Sequence, residues 1–346
     1  MVSGLGNEAR DDFYAIELPA AAHKLVTEIR PIRPGQQVLI TVDTAGDSRV
    51  ARATAAAVYA VGGVPTLVSY ATLPEPMREP PRPVGQAALG ADVWFDFAVA
   101  YQLYSPVFDA AVGQGCIYVC LTGMDVDMMV RTIGRVATLP LEEMARTLYR
   151  MSQAAGAIRL TSPAGTDLRM AVDKAGDPYF DEERTGGFAQ MLGGQSWPAV
   201  VRESFEGVLV YDGAIWPPAA LGLLRAPVRL TIVGGRVVRI EGGPEATTYD
   251  RWLRRFEHPA ATLMDHACYG FNPGVTRPSG RILEDERVFG CMQFGIGAAA
   301  LGSPIHSDGV VLNPSVWFDE LCVEDTGRYL HPELVRLCQA MNVEGY

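Results

Sequence analysis

Short, predominantly apolar runs alternate with amphipathic stretches over the first 156 positions. Residues 38–42, 64–70, 93–99 and 116–121 are apolar runs of strand length. Between them, residues 48–59 read as an Ala-rich helix, and Ser105-Pro106 offers a helix start with proline in the first turn. Residues 140–155 carry Leu141, Met144, Leu148 and Met151 at helical spacing. Apolar strands separated by helices predict a parallel sheet covered on both faces. The expectation is a Rossmann-like α/β domain over residues 1–156.

From residue 157 the pattern changes to short strands between glycine- and proline-rich turns. Residues 158–161, 208–211, 228–233 and 236–240 read as strands, and Gly234-Gly235 between the last two is a two-residue hairpin turn. A second, β-rich α+β domain is therefore expected over residues 157–346.

Composition narrows the function classes. Forty acidic residues against 29 basic ones give a net charge of −11, which speaks against nucleic acid and anionic membranes as partners. The longest uncharged stretch, residues 53–74, is broken by Gly62, Gly63 and Pro65, so a helix, turn and strand explain it better than a membrane span. The first 12 residues mix charges and lack an apolar segment, so no secretory signal is read there. Six cysteines are scattered without a C-x-x-C pair, as expected of reduced thiols in the cytoplasm.

The turn after the first strand, Asp43-Thr44-Ala45-Gly46-Asp47-Ser48, lacks both glycine patterns that cradle phosphate, and Asp47 and Ser48 read as helix caps. No G-x-S-x-G elbow occurs. Of five histidines, His23 lies in a helix, and His258 and His331 precede prolines, as surface or capping residues do. His266 and His306 stand apart. His306-Ser307-Asp308 enters the apolar run 310–312, and in a strand residues i and i+2 share a face. One imidazole and one carboxylate on one face are two ligands for a divalent metal, and His266 would complete two histidines and a carboxylate. The same pattern also suits a buried histidine held by an aspartate.

At these residues the chain resembles the thermophilic metallo-aminopeptidase (AmpS-type leucyl aminopeptidase) superfamily, and within it the 2,5-dihydroxypyridine 5,6-dioxygenases. The resemblance is clearest from about residue 160 to 325. It is carried by Leu192-Gly193-Gly194-Gln195 leading to the segment 206–213, by His266 through Asn272-Pro273, by Gly290-Cys291-Met292-Gln293, and by His306-Ser307-Asp308 running to Trp317-Phe318-Asp319. It implies an aminopeptidase-like second domain. Gln195, His266 and Gln293 stand where the peptidases place glutamate, glutamate and histidine, which implies that a two-metal site is dismantled. The dioxygenase branch uses two histidines and an aspartate around one Fe(II), and His266, His306 and Asp308 fall on those positions. The implied activity opens a hydroxylated N-heterocycle with O₂, with an aromatic or heterocyclic small molecule as partner and a homo-oligomer as assembly. Where the dioxygenases carry two pocket histidines, this chain has Tyr104, before Ser105-Pro106, and Gln190. These two and Glu183 are the candidates for acid/base or hydrogen-bonding work. Trp197 and Tyr269 flank the site, as ring-stacking or core residues. The competing expectation is a single-metal hydrolase holding Zn²⁺ or Mn²⁺, aminopeptidase-like or acting on a cyclic amide.

Overall fold

The computed structural model describes residues 14–176, 187–297 and 302–346. The chain divides into two units, Met1–Arg135 with Arg184–Leu192, and Val136–Glu183 with Gly193–Tyr346.

In the first unit, helices α1 (Glu17–Lys24), α2 (Ser48–Ala60), α3 (Arg82–Leu89), α4 (Pro106–Gly113) and α5 (Val126–Met129) alternate with strands β1 (Gln37–Asp43), β2 (Val64–Tyr70), β3 (Val93–Asp96) and β4 (Ile117–Cys120). Strand β1 is internal, between β2 and β3, and Val38, Leu39, Ile40 and Val42 are buried on both of its faces, as its largely apolar run requires. Asp47 caps α2 by accepting from Arg49 N, and Ser105 caps α4 by accepting from Phe108 N. The expected strand 93–99 stops at Asp96. There the chain turns, because the Asp96 carboxylate accepts from the backbone N–H of Ala98 and Gln102.

Helix α6 (Thr138–Ala154) and strands β5 (Ala157–Thr161) and β6 (Asp167–Ala171) open the second unit. Strand β7 (Phe188–Met191) then returns to pair with β4, giving a parallel sheet of order β2-β1-β3-β4-β7. The boundary thus differs from the one expected near residue 156. Leu141, Met144 and Leu148 of α6 are buried in the core of the second unit, and β7 is recruited to the first sheet from beyond the boundary.

The second unit continues with β8 (Gln195–Ser196), β9 (Glu206–Tyr211), β10 (Ala214–Trp216), β11 (Gly222–Leu223), β12 (Val228–Val233), β13 (Arg236–Gly242), α7 (Pro244–Arg254) and β14 (Met264–Gly270). Then follow α8 (Ile282–Asp285), β15 (Cys291–Ile296), β16 (Ser307–Leu312), β17 (Ser315–Phe318), β18 (Leu321–Asp325), β19 (Arg328–Tyr329) and α9 (Pro332–Ala340). They build two antiparallel sheets, β11-β10-β16-β15-β14-β8 and β13-β12-β9-β6-β5-β17-β18-β19. Gly234 and Gly235 take φ of +55° and +72° in the β12–β13 hairpin, the left-handed pair that such a turn demands. Alternate residues of both sheets, among them Leu168, Leu209, Leu230, Tyr269, Met292 and Phe294, share one core. The other face of β14, β15 and β16 carries a small apolar cluster that includes Cys291 and Val310, and beside it the polar residues of the site. His258 and His331 cap the helical turns that follow them by accepting from Ala260 N and Glu333 N, as expected of histidines before proline. Among the described residues, no helix is long and apolar enough to cross a membrane.

Candidate metal centre

Three adjacent strands assemble the site. In the register of the sheet, His266 on β14 stands opposite Gly295 on β15, and Gly295 stands opposite Asp308 on β16. His306 lies two residues before Asp308 and Gln293 two before Gly295, so all of them belong to one face. The opposite face of the same strands packs Met292, Phe294 and Ile296 into the core.

Gly295 sits under the two rings. A Cβ there would come within 2.4 Å of His266 Cε1 and 3.0 Å of His306 Cε1, so only glycine lets both imidazoles lie against β15. Their centroids are 5.4 Å apart and their planes 29° from parallel. Asp308 spans them on one side, with Oδ1 3.5 Å from His266 Nε2 and Oδ2 3.1 Å from His306 Nε2. Gln293 donates through Nε2 to Asp308 Oδ1, and its amide also meets His266 Nε2, with Oε1 at 3.2 Å.

A second carboxylate lies on the other side of the rings. Asp265 Oδ2 is 3.0 Å from His266 Nδ1 and 3.9 Å from His306 Nδ1. Neighbouring strand residues normally face opposite ways, but the β14–β15 register shifts between Met264 and His266. That bulge brings Asp265 and His266 together. His306 Nδ1 donates to the Gly297 carbonyl at 2.6 Å.

The electrostatics follow from this sandwich. Burial alone would lower the His306 imidazole, but the charge and hydrogen bond of Asp308, with Asp265 and the Gly297 carbonyl, raise it to about 10. His266 is raised by Asp265 and Asp308 against burial and the charge of His306. Burial would raise Asp265, yet the hydrogen bond and charge of His266, with His306 and Arg202, hold it at about 2. The carboxylates thus call for positive charge between them, which protons or a metal cation can supply.

Among the described residues, one group of three metal-ligating side chains offers ligand atoms within 4.8 Å of one another, namely Asp265, His266 and His306. Two imidazoles and a carboxylate suit one divalent ion with N/O ligands. Gln195 and Gln293 are both buried neutral amides. Gln195 Nε2 donates at 3.0 Å to Glu286, a carboxyl that burial pushes up to about 7, with Asp308 adding to the rise and Arg287 and Gln195 opposing it.

Of the residues singled out in the sequence, His266, His306 and Asp308 come together. Tyr104 and Gln190 belong to the first unit. Tyr104 precedes α4, holds φ +66° and meets Phe108 edge-on at 6.1 Å. Gln190 lies on β7, where it accepts from Arg30 Nε at 2.7 Å and donates to the Ile29 carbonyl at 3.1 Å. Glu183 lies outside the described residues. Tyr269 is a core residue, fully buried and edge-on to Phe318 at 6.0 Å, which decides for packing between the two roles the sequence left open for it. Asp265, Gly295 and Glu286 were not singled out in the sequence. The one signal for Asp265 was an acidic residue directly before a histidine.

The profile of the family described as "NicX: 2,5-dihydroxypyridine 5,6-dioxygenase" matches residues 20–331. The fold is similar to that of 2,5-dihydroxypyridine dioxygenase from Pseudomonas putida KT2440, with a TM-score of 0.72 at 18% identity, covering 91% of this chain and 98% of that one. It is also similar to wild-type AmpT from Thermus thermophilus, with a TM-score of 0.66 at 14% identity, covering 92% of this chain and 100% of that one. No curated protein sequence matches. Placement first of all in the AmpS-type aminopeptidase superfamily is corrected by the profile match, which is to the dioxygenase family; the likeness to AmpT concerns the fold.

Proposed function

The chain belongs to the NicX family of 2,5-dihydroxypyridine 5,6-dioxygenases, and from that premise we propose that it opens a hydroxypyridine-type ring with O₂ at a mononuclear Fe(II) centre held by His266, His306 and Asp308. The observation that carries the ligand assignment is which ring nitrogens are already used. His306 Nδ1 donates to the Gly297 carbonyl and His266 Nδ1 faces the Asp265 carboxylate. A neutral imidazole has one N–H and one lone pair, so both lone pairs fall on Nε2, and both Nε2 atoms face Asp308. Fe(II), when bound there, supplies the redox chemistry through which O₂ adds to the ring, both atoms entering the product.

The remaining work belongs to side chains. Gln293 bridges Asp308 and His266 through its amide, and holds the carboxylate in its orientation. Tyr104, Gln190 and Glu183 are the candidates to hold or donate a proton at a ring hydroxyl; a phenol can donate and an amide can do both, but neither titrates near neutrality. We read the first unit as Rossmann-like, supported by its five parallel strands, and the second, which carries the two antiparallel sheets, as the metal-binding catalytic domain. A cytoplasmic enzyme fits the six free cysteines, five of them buried, and a homo-oligomer fits the resemblance.

Oxygen uptake by Fe(II)-loaded protein with 2,5-dihydroxypyridine tests the reading. One O₂ consumed per ring lost is expected. An intact requirement for metal with turnover under anaerobic conditions would replace the dioxygenase with a hydrolase.

A further inference from the structure

Arg202 reaches Asp265 twice. Its Nη2 lies 3.1 Å from Asp265 Oδ1, and its Nε donates to the Asp265 main-chain carbonyl at 2.9 Å. One carboxylate oxygen is therefore turned toward the guanidinium and the other, Oδ2, toward the Nδ1 atoms of both rings. The β14 bulge puts the residue there, and Gly295 leaves room for the rings between Asp265 and Asp308. An ionised carboxylate only accepts hydrogen bonds, so the nitrogen 3.0 Å from it carries the proton.

We infer that Asp265, gripped by Arg202, is a positioning residue outside the ligand set, fixing the Nδ1–H tautomer and the ring plane of His266 so that its Nε2 lone pair is presented to the metal. This rests on the ligand assignment proposed above. Without Asp265, the hold on the Nδ1–H form falls to the Gln293 amide, whose nitrogen lies 3.0 Å and oxygen 3.2 Å from His266 Nε2, and the other tautomer, in which Nε2 carries the proton and cannot ligate, becomes accessible. His306 has the Gly297 carbonyl for the same purpose, so the two rings depend on different partners, and loss of Asp265 acts on His266 first. Outer carboxylates of this kind orient ligand histidines and raise their basicity.

The test compares the full-length wild type with Asp265→Ala, Asp265→Asn, Arg202→Gln and Asp308→Ala. Fe(II) affinity is measured by anaerobic chelator competition, and the His266 tautomer by ¹⁵N-histidine NMR of the metal-free protein, followed through an alkaline titration to the pH at which the His266 ring is neutral. Asp265→Ala is expected to bind one Fe(II) per chain still, about 10–100-fold more weakly, with His266 shifted from the Nδ1–H form toward a mixture. Asp265→Asn, which keeps an accepting oxygen and the volume, and Arg202→Gln should show smaller losses in the same order. Asp308→Ala should retain no stoichiometric metal.

Stoichiometric binding kept by Asp308→Ala but lost by Asp265→Ala would make Asp265 the ligand and overturn the inference. So would wild-type affinity and an unchanged His266 signal in Asp265→Ala. Should the Ala variant fail to fold, as judged by circular dichroism, Asp265→Asn and Arg202→Gln carry the same two readouts. A wild type that takes up no metal would instead overturn the proposed function, while the NMR arm would still decide whether Asp265 sets the tautomer.

Discussion

The parallel sheet and the six-stranded antiparallel sheet each bury an aspartate, and the two are partnered in opposite ways. Asp96, at the end of β3, accepts from Thr41 Oγ1 at 2.8 Å, Ala98 N at 3.1 Å, Tyr118 Oη at 2.6 Å and Gln102 N at 3.0 Å. Nearby Asp43 likewise accepts from Ala45, Gly46 and Ala100 backbone N–H groups. All these donors are neutral, and most are backbone. Asp308 instead faces two imidazoles and a side-chain amide. Fixed donors leave a carboxylate nothing to exchange, so Asp96 and Asp43 tie loops to strand ends. Imidazoles can trade a proton for a cation, and that makes Asp308 chemical. The loop N–H groups that a nucleotide phosphate would use at the carboxyl ends of parallel strands are taken by the protein's own carboxylates at Asp43 and Asp96.

The sharpest way to break this comparison is to remove each carboxylate. In Asp308→Ala, iron per chain should fall to near zero and oxygen uptake should drop below detection. Asp96→Asn should keep its iron and lose on the order of 2 kcal/mol of stability, because an amide nitrogen would face two donors in a buried site. Metal analysis and denaturant unfolding read both. Loss of iron from Asp96→Asn with the fold intact would erase the distinction between the two regions.

Gly295→Ala probes the surroundings of the centre without replacing any of the proposed ligands. The new methyl would press on both imidazoles, and neither can retreat without leaving its partner at Nδ1. Fe(II) affinity should fall on the order of 100-fold, and overpacking should cost about 1–3 kcal/mol. An alanine variant with wild-type iron affinity would show that the rings have slack that the register of β14, β15 and β16 does not suggest.

What could be read from the sequence followed from local periodicity. Strand β2 occupies the span its apolar run marked, and β12 and β13 meet across Gly234-Gly235. His306 and Asp308 share a face because they are two apart in an extended segment. The rest depended on contacts distant in sequence. Strand β7 joins a sheet whose other members all precede residue 121, and no local signal announces that. Asp265 escaped because a bulge suspends the alternation from which facing is deduced. Gly295 escaped because the reason for a glycine there lies on two other strands.

The smallest expected effect concerns a third kind of buried carboxylate. Glu324 on β18 is 1% exposed, and among the described residues neither of its oxygens has a hydrogen-bond partner. Burial pushes its carboxyl well above the ordinary range. A carboxyl raised in the folded state holds its proton there while the unfolded chain releases one. Its stabilising share is therefore complete below the unfolded value, about 4.3, and is lost as pH rises toward the folded one. Glu324→Gln has almost the same shape and no proton to release. It should melt above the wild type at pH 8, with the gap closing toward pH 4, while iron content stays unchanged. A gap of equal size at both pH values would mean that Glu324 acts through packing alone. A variant less stable at pH 8 would mean that the carboxylate has partners in solution, which would place it with Asp96 among the carboxylates that hold the scaffold.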